Sequence, residues 1–226
     1  MHLLCLLHPS LSAQFRFTSV VKRLGVMGGT FDPLHQGHLV AASEVLHQLG
    51  LDRVMFVPAG DPWQKSTVAP AEDRFLMTVL GTSSHSRFEV SRIEIDRKGP
   101  TYTADTMETL HDFYDGGVKL IFIAGADTVL GLGSWEKLDR LAQLAEVVVV
   151  SRAGFDLAGL DPAPNWPKIH FVEMPRVEVS STEIRDRVRR SLPIDYLVPL
   201  EVAAYISDHG LYMSDRTGDI RSDAGA

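Results

Sequence analysis

Two histidines stand three residues apart, shortly after a pair of glycines, in the stretch Gly28–His38 (GGTFDPLHQGH). Residues at i and i+3 at a helix start face the same way, so His35 and His38 are expected on one side. A helix N-terminus offers unpaired N–H groups and about half a unit of positive charge, which favours anions. Gly28 and Gly29 would let a phosphate approach the backbone closely. Two imidazoles there could donate to charge developing on a phosphoryl group.

A second segment with suitable chemistry is Gly99–Thr106 (GPTYTADT), which is typical of a turn followed by a helix start. The N–H groups of such a start can be presented to a carboxylate. Thr101, Thr103 and Asp105 also have the residue types of helix caps, so capping alone would explain them. Trp135 offers a flat platform for an aromatic ring, although a tryptophan is more often part of the core.

Three further segments could contact a nucleotide. Gly125 and Asp127 come just past a buried strand, at the end where open α/β sheets bind ligands. The stretch Ser180–Arg185 (SSTEIR) has the spacing of a capping box, and its N–H groups, hydroxyls and arginine could bind phosphates. Lys65 lies in a loop after the second strand, where a solvated lysine is equally compatible with the sequence.

Hydrophobic periodicity predicts an alternation of strands and helices that would position these residues. The predicted strands are Lys22–Met27, Arg53–Pro58, Phe88–Ile95, Lys119–Ala124, Glu146–Ser151 and Ile169–Met174. The predicted helices are His38–Leu49, Pro70–Leu80, Thr103–Tyr114, Trp135–Leu144, Ser181–Arg190 and Leu200–Asp208. This order favours a doubly wound, mainly parallel α/β sheet with helices on both faces and right-handed crossovers.

Composition excludes several classes of protein. The formal net charge of −7 argues against broad nucleic-acid binding, which needs clustered lysines and arginines. No apolar run is long enough to span a bilayer, so no membrane association is expected. The single cysteine, Cys5, cannot form an intramolecular disulfide, and a reducing cytoplasm is the expected compartment.

The ends of the chain differ from its middle. The apolar start lacks the basic residues of a secretory signal. We therefore expect residues 1–20 to be an extension outside the fold, residues 21–213 to form one domain, and residues 214–226, which are small and polar, to be a flexible tail.

The stretch Gly28–His38 resembles the HxGH signature of the nucleotidyltransferase superfamily, in the GGTFDPxHxGH form typical of bacterial nicotinate-mononucleotide adenylyltransferases. Related pantetheine-phosphate adenylyltransferases usually carry threonine at the position of His35. Three other segments resemble the same family, with Val179 replacing an isoleucine: GPTYTxDT at 99–106, GxD with a following tryptophan at 125–135, and ISSTxIR at 179–185. The matches run from about Leu24 to the closing His209–Tyr212 (HGLY), and the loop at 62–65 is most similar to actinobacterial members.

This resemblance implies a Rossmann-like nucleotidyltransferase fold and a set of site residues. His35 and His38 would be catalytic. ATP would be bound by Gly28, Gly29, Thr30, Phe31, His35, Gly37, His38, Gly125, Asp127, Ser180, Ser181, Thr182 and Arg185. Nicotinate mononucleotide would be bound by Lys65, Thr101, Tyr102, Thr103 and Trp135, with no metal held by the protein itself.

The implied reaction is direct in-line transfer of the adenylyl group from ATP to nicotinate mononucleotide in NAD biosynthesis, with Mg²⁺ carried mainly by the ATP phosphates. One alternative is a sibling adenylyltransferase that acts on nicotinamide mononucleotide or phosphopantetheine. Another is a nucleotide-binding regulator without catalysis. The sequence leaves a homo-oligomer open.

Overall fold

A computed structural model of the chain describes residues 5–6, 21–62, 67–126, 133, 135–152 and 166–213. Its strands are β1 (Cys5–Leu6), β2 (Arg23–Gly29), β3 (Arg53–Pro58), β4 (Phe88–Ser91), β5 (Lys119–Gly125), β6 (Ala145–Arg152) and β7 (Ile169–Met174). Its helices are α1 (Gln36–Gln48), α2 (Ala71–Thr82), α3 (Thr103–Phe113), α4 (Leu138–Leu144), α5 (Ser181–Arg189) and α6 (Leu200–Asp208).

The strands form one parallel sheet in the order β1-β4-β3-β2-β5-β6-β7. From β2 the chain builds outwards through β3 and β4, and then returns to the other side of β2 with β5, β6 and β7. The order therefore reverses between β2 and β5, and a crevice is expected at the carboxyl ends of these two strands. The predicted doubly wound α/β sheet is confirmed.

Alternation along each strand sends side chains to two cores on opposite faces of the sheet. In β3, Val54 and Phe56 join the core that also contains residues of α1, while Met55 and Val57 join the core formed with α3 and α4. Both faces are apolar because helices cover both of them, as in other parallel sheets. A third, smaller cluster lies between α2, α5 and α6 and includes the ring of Tyr212.

Several element boundaries differ from the sequence predictions, and three of the differences have a clear physical reason. Strand β2 continues through Gly28 and Gly29, because these residues pair in register with Val57 and Pro58, so the turn begins only after them. Strand β4 ends at Ser91 and not at Ile95, since the chain turns there. Helix α4 begins at Leu138 and not at Trp135, because Lys137 has a left-handed backbone with φ of 58° that a right-handed helix cannot include.

The ends of the chain remain only partly described. The two-residue strand β1 pairs with Val90 and Ser91 of β4, although it belongs to the segment that we expected outside the fold. The other residues of the segment 1–20, and the tail 214–226, lie outside the described residues, so the predicted domain boundaries stay predictions. No helix among the described residues is long and apolar enough to cross a membrane.

Candidate active site

A cleft of about 890 Å³ opens at the carboxyl ends of β2 and β5, where the strand order reverses. Its walls come from the end of β2, the start of α1, the end of β5 and the start of α5. The predicted ATP-binding residues that line it are Gly28, Gly29, Thr30, His35, Gly37, His38, Gly125, Ser180, Ser181, Thr182 and Arg185. Three segments that are far apart in the sequence, at positions 28–38, 125 and 180–185, thus meet at one cleft.

The two histidines stack on each other where α1 begins. Their ring centroids are 3.7 Å apart with an angle of 23° between the planes. The backbone N–H of His35 donates to Nδ1 of His38 at 3.2 Å. Because Nδ1 of His38 accepts this bond, the proton of a neutral His38 ring lies on Nε2. The prediction that both imidazoles lie on one side of the helix start is consistent with this geometry.

Burial controls the protonation of His35. The residue is 8% exposed, and desolvation lowers its pKa to about 4. Its Nδ1 is buried and has no hydrogen-bond partner among the described residues. His35 is therefore neutral at pH 7, with one ring nitrogen that donates and one that accepts.

Two neighbours fix the positions of these rings. Phe31 is 1% exposed, and its ring meets the ring of His38 edge to face with centroids 5.0 Å apart. The side chain of Phe31 thus supports His38 from below and does not line the cleft, unlike the other described residues predicted to bind ATP. A Cβ at Gly37 would lie 3.1 Å from the His35 ring and 3.3 Å from Val179, so a larger residue there would displace His35.

The opposite wall of the cleft is the start of α5. Ser180 caps this helix, since its hydroxyl accepts the backbone N–H of Glu183 at 3.1 Å. The hydroxyl of Ser181 donates to the carbonyl of Pro33 at 2.9 Å and so ties α5 to the loop before α1. The sequence prediction of a cap at Ser180 is confirmed.

Arg185 lies one turn further along α5. Its Nη1 donates to the backbone carbonyl of Asp32 at 2.7 Å, and its Nη2 donates to the hydroxyl of Thr182 at 3.2 Å. A guanidinium carries five N–H donors, so these bonds orient Arg185 without exhausting its capacity to donate. The arginine is held at the cleft by contacts that the sequence motif did not predict.

Sequence reasoning missed a buried polar network beneath the cleft. Asp32 is 2% exposed, and its carboxylate accepts the N–H groups of Val68 and Ala69 at 2.7 and 3.1 Å and the hydroxyl of Tyr212 at 2.7 Å. Arg74 is 1% exposed and donates to the carbonyls of Thr30 and Ala69 at 2.8 and 3.2 Å. The only sequence signal was a charged residue inside the Gly28–His38 stretch.

The segment predicted to read a carboxylate lies outside the walls of this cleft. The backbone N–H and the hydroxyl of Thr101 both donate to the carbonyl of Asp61, at 3.2 and 3.3 Å. Helix α3 begins after Tyr102 without a side-chain cap, so neither Thr101, Thr103 nor Asp105 caps it. The described structure therefore does not support the capping interpretation of this segment.

Trp135 lies close to the same region. Its half-buried ring packs edge to face against Phe122, with centroids 5.6 Å apart. Two residues later, the ammonium of Lys137 contacts Asp105 at 2.6 Å and lies 5.8 Å from the centroid of the Tyr102 ring. The segments around Tyr102 and Trp135 are thus joined to each other. Lys65 and Asp127 lie outside the described residues.

The chain matches known proteins over most of its length. A family model described as cytidylyltransferase-like matches residues 26–187. A "Probable nicotinate-nucleotide adenylyltransferase" of Saccharopolyspora erythraea is 52% identical over 198 residues, which covers 86% of this chain and 91% of the relative. A protein of the same name from Leifsonia xyli is 52% identical over 192 residues, covering 85% of this chain and 94% of the relative.

Solved structures share the fold at lower sequence identity. The nicotinic acid mononucleotide adenylyltransferase of Plasmodium falciparum, complexed with NaAD, superimposes with a TM-score of 0.67 at 19% identity, covering 84% of this chain and 97% of that one. The chain thus belongs to the cytidylyltransferase-like family and, within it, to the nicotinate-nucleotide adenylyltransferases.

Proposed function

We propose that the protein transfers the adenylyl group of ATP to nicotinate mononucleotide, giving nicotinate adenine dinucleotide and pyrophosphate. The observation that carries this proposal is the stacked pair of His35 and His38 at the start of α1, which faces the start of α5 across a cleft at the sheet's switch point. The names of the 52% identical relatives support the same reaction.

The chemistry is a single in-line displacement. An oxygen of the acceptor phosphate forms a bond to the α-phosphorus of ATP, and the bond from that phosphorus to the bridging oxygen breaks. The electron pair leaves with pyrophosphate. The attacking phosphate is already anionic, so no protein base is required, and positioning and charge stabilisation are the main tasks of the protein.

The residues of the cleft suit these tasks. The starts of α1 and α5 direct backbone N–H groups and the positive ends of two helix dipoles toward bound phosphates. His35 and His38 supply imidazole donors, and Arg185 supplies a charged donor whose direction is fixed by Asp32 and Thr182. One such donor contributes roughly 3–4 kcal/mol to catalysis, so several must converge to reach the 8–23 kcal/mol typical of enzymes.

The polar groups that line the cleft are consistent with a metal ion bound by the nucleotide and not by the protein. The lining includes one carboxylate, Asp32, but its oxygens are buried and already accept bonds from Val68, Ala69 and Tyr212. The other polar groups of the lining are N–H groups, hydroxyls, imidazoles and a guanidinium, whereas Mg²⁺ is usually held by carboxylates, waters and phosphates. Among the described residues no group of three or more histidine, cysteine, aspartate or glutamate side chains could hold a metal ion. A Mg²⁺ ion on the ATP phosphates would neutralise part of their charge.

The acceptor would bind beside the ATP cleft, between the start of α3 and Trp135. Helix α3 has no side-chain cap, which leaves its first turn suited to a carboxylate. Trp135 would stack on the pyridine ring. Thr101, Tyr102 and Thr103 would position the carboxylate, and Lys65 would approach the acceptor phosphate. This arrangement predicts a preference for the acid over the amide.

Pyrophosphate release from ATP and Mg²⁺ tests the proposal, with nicotinate mononucleotide, nicotinamide mononucleotide and phosphopantetheine assayed in parallel. We expect rapid release with nicotinate mononucleotide and much slower release with the other two acceptors. Faster release with either alternative would identify a sibling enzyme. ATP binding without release with any acceptor would indicate a nucleotide-binding regulator and contradict the proposal.

A further inference from the structure

After α6 the chain turns back toward the loop before α1, which contains Asp32. Helix α6 is terminated by Gly210, whose φ is 60°. The backbone N–H of Gly210 donates to the carbonyl of Ser207, and that of Leu211 donates to the carbonyl of Ile206. These bonds have the pattern of a Schellman turn, in which a left-handed glycine reverses the chain. The turn delivers Tyr212, itself left-handed with φ of 63°, to the third hydrophobic cluster.

Tyr212 extends from that cluster to the base of the cleft. The residue is 7% exposed, and its hydroxyl donates to Oδ1 of Asp32 at 2.7 Å. Burial, together with the neighbouring Asp32 carboxylate, raises the pKa of Tyr212 above its ordinary range, so the hydroxyl keeps its proton and remains a donor. A non-glycine residue in a left-handed conformation costs free energy, so this placement needs compensation from packing and hydrogen bonding.

Asp32 connects Tyr212 to Arg185. Its carboxylate is bonded to Tyr212, Val68 and Ala69, while its backbone carbonyl accepts Nη1 of Arg185 at 2.7 Å. The position of that carbonyl therefore depends on how firmly the side chain of Asp32 is held. Removal of one donor from a buried network releases the acceptor that it satisfied, and buried networks respond as units.

We propose that Tyr212 is a positioning residue for adenylyl transfer, which acts through Asp32 on Arg185. The hydroxyl of Tyr212 does not line the cleft. Its role is to fix Asp32 so that Arg185 is aligned with the phosphates before they bind. This inference rests on the function proposed above, and it assigns a task to the closing His209–Tyr212 segment.

The chain offers a control tyrosine in the same region. Tyr205 lies on α6, is partly buried, and donates its hydroxyl to Oδ1 of Asp73 at 2.8 Å. Neither Tyr205 nor Asp73 lines the cleft. Both Tyr212→Phe and Tyr205→Phe delete one hydroxyl bonded to a carboxylate, and we expect both to lower the melting temperature by a few degrees.

The two variants should differ in catalysis. With pyrophosphate release as the assay, Tyr212→Phe is expected to lower kcat/KM about 10-fold, within the range caused by small displacements of a positioned group. Tyr205→Phe should leave kcat/KM within about twofold of wild type. Equal kcat/KM for the two variants would overturn the inference. An inactive wild-type protein would instead overturn the proposed function and, with it, this role.

A double-mutant cycle tests the route of the effect. Arg185→Lys keeps the charge but loses the fixed fork of donors. If Tyr212 acts through the alignment of Arg185, Tyr212→Phe should lower kcat/KM by less than about twofold in an Arg185→Lys background, because the aligned guanidinium is already absent. A loss of about 10-fold in both backgrounds would show that the two residues act independently and would overturn the proposed route.

Discussion

At the scale of single residues, burial changes what His35 can do. Desolvation lowers its pKa to about 4, so at neutral pH it contributes a hydrogen-bond donor and not a cation. The adjacent Nδ1 of His38 accepts the His35 backbone N–H, and this bond orients the second ring. A bound triphosphate would favour the protonated form of the His35 ring, since an opposite charge nearby stabilises it. Phosphate binding and protonation of His35 would therefore be coupled.

The pKa of His35 predicts a specific dependence of stability on pH. Between pH 6.5 and about 4 the unfolded chain protonates this histidine and the folded protein does not, so stability falls as the pH falls through this range. At pH 5 wild type should have lost about 2 kcal/mol more of its unfolding free energy than His35→Asn. Urea unfolding at pH 7.5 and pH 5 measures both losses. Equal losses in the two proteins would show that His35 titrates normally.

The sequence indicates the histidine pair but not the network around Asp32. The placement of His35 and His38 together at a helix start could be predicted because a glycine pair, a proline and two histidines occur within one short stretch. The network of Asp32 could not be inferred, since it joins Asp32 to Tyr212, 180 positions further along the chain. Neither residue has a local pattern that indicates the contact.

At the scale of elements, two helix starts face the cleft. The start of α1 carries the histidines, and the start of α5 carries Ser180, Ser181 and, one turn later, Arg185. Periodicity and capping signals predicted both helices, because each begins with residues of distinctive type. Helix α4 was predicted three residues too early, since nothing in its sequence indicates that Lys137 adopts a left-handed backbone.

The cap of α5 provides a test at this scale. Ser180→Ala removes the acceptor of the Glu183 N–H and should lower the free energy of unfolding by about 1 kcal/mol. Fraying of the first turn should also raise the KM for ATP, because Ser181 and Arg185 depend on that turn. Ser180→Thr, which retains a hydroxyl acceptor, should restore most of both properties. Unchanged stability in Ser180→Ala would contradict the assigned cap.

At the scale of the whole molecule, the two ends of the sheet have separate tasks. The carboxyl ends of β2 and β5 form the cleft. Near the amino ends of β5, β6 and β7, Glu146 contacts Lys119 at 2.8 Å and His170 at 2.7 Å. Burial would raise the pKa of Glu146, but hydrogen bonds from Lys119 and His170 and nearby lysine charges prevail and lower it to about 2. This cluster joins strands far from the chemistry.

Glu146→Gln should therefore affect stability without affecting catalysis. A carboxylate with a lowered pKa stabilises the folded protein above pH 4.5, and this contribution disappears as the pH falls toward 2. We expect the variant to lose about 1 kcal/mol of unfolding free energy at pH 7, and progressively less below pH 4.5. Glu201→Gln, an exposed change on α6, serves as the control. A pH-independent difference would contradict the ion-pair assignment.

The doubly wound parallel arrangement of the sheet could be predicted from the sequence, since alternating buried strands and amphipathic helices leave few other topologies. The packing of the C-terminal segment in the third hydrophobic cluster could not be predicted, because it depends on contacts between α2, α5 and α6 that no local pattern specifies. The HGLY segment was recognised only as part of a resemblance. The role proposed for this segment follows from the hydrogen bond between Tyr212 and Asp32.

His35 and His38 are proposed to stabilise charge during adenylyl transfer in this cleft. The most direct measurement is kcat for dinucleotide formation by wild type and His38→Ala, with circular dichroism confirming that both proteins are folded. We predict that His38→Ala lowers kcat by about 10²–10³ while retaining the wild-type spectrum. A folded His38→Ala protein with wild-type kcat would remove His38 from the mechanism and contradict the account of this site.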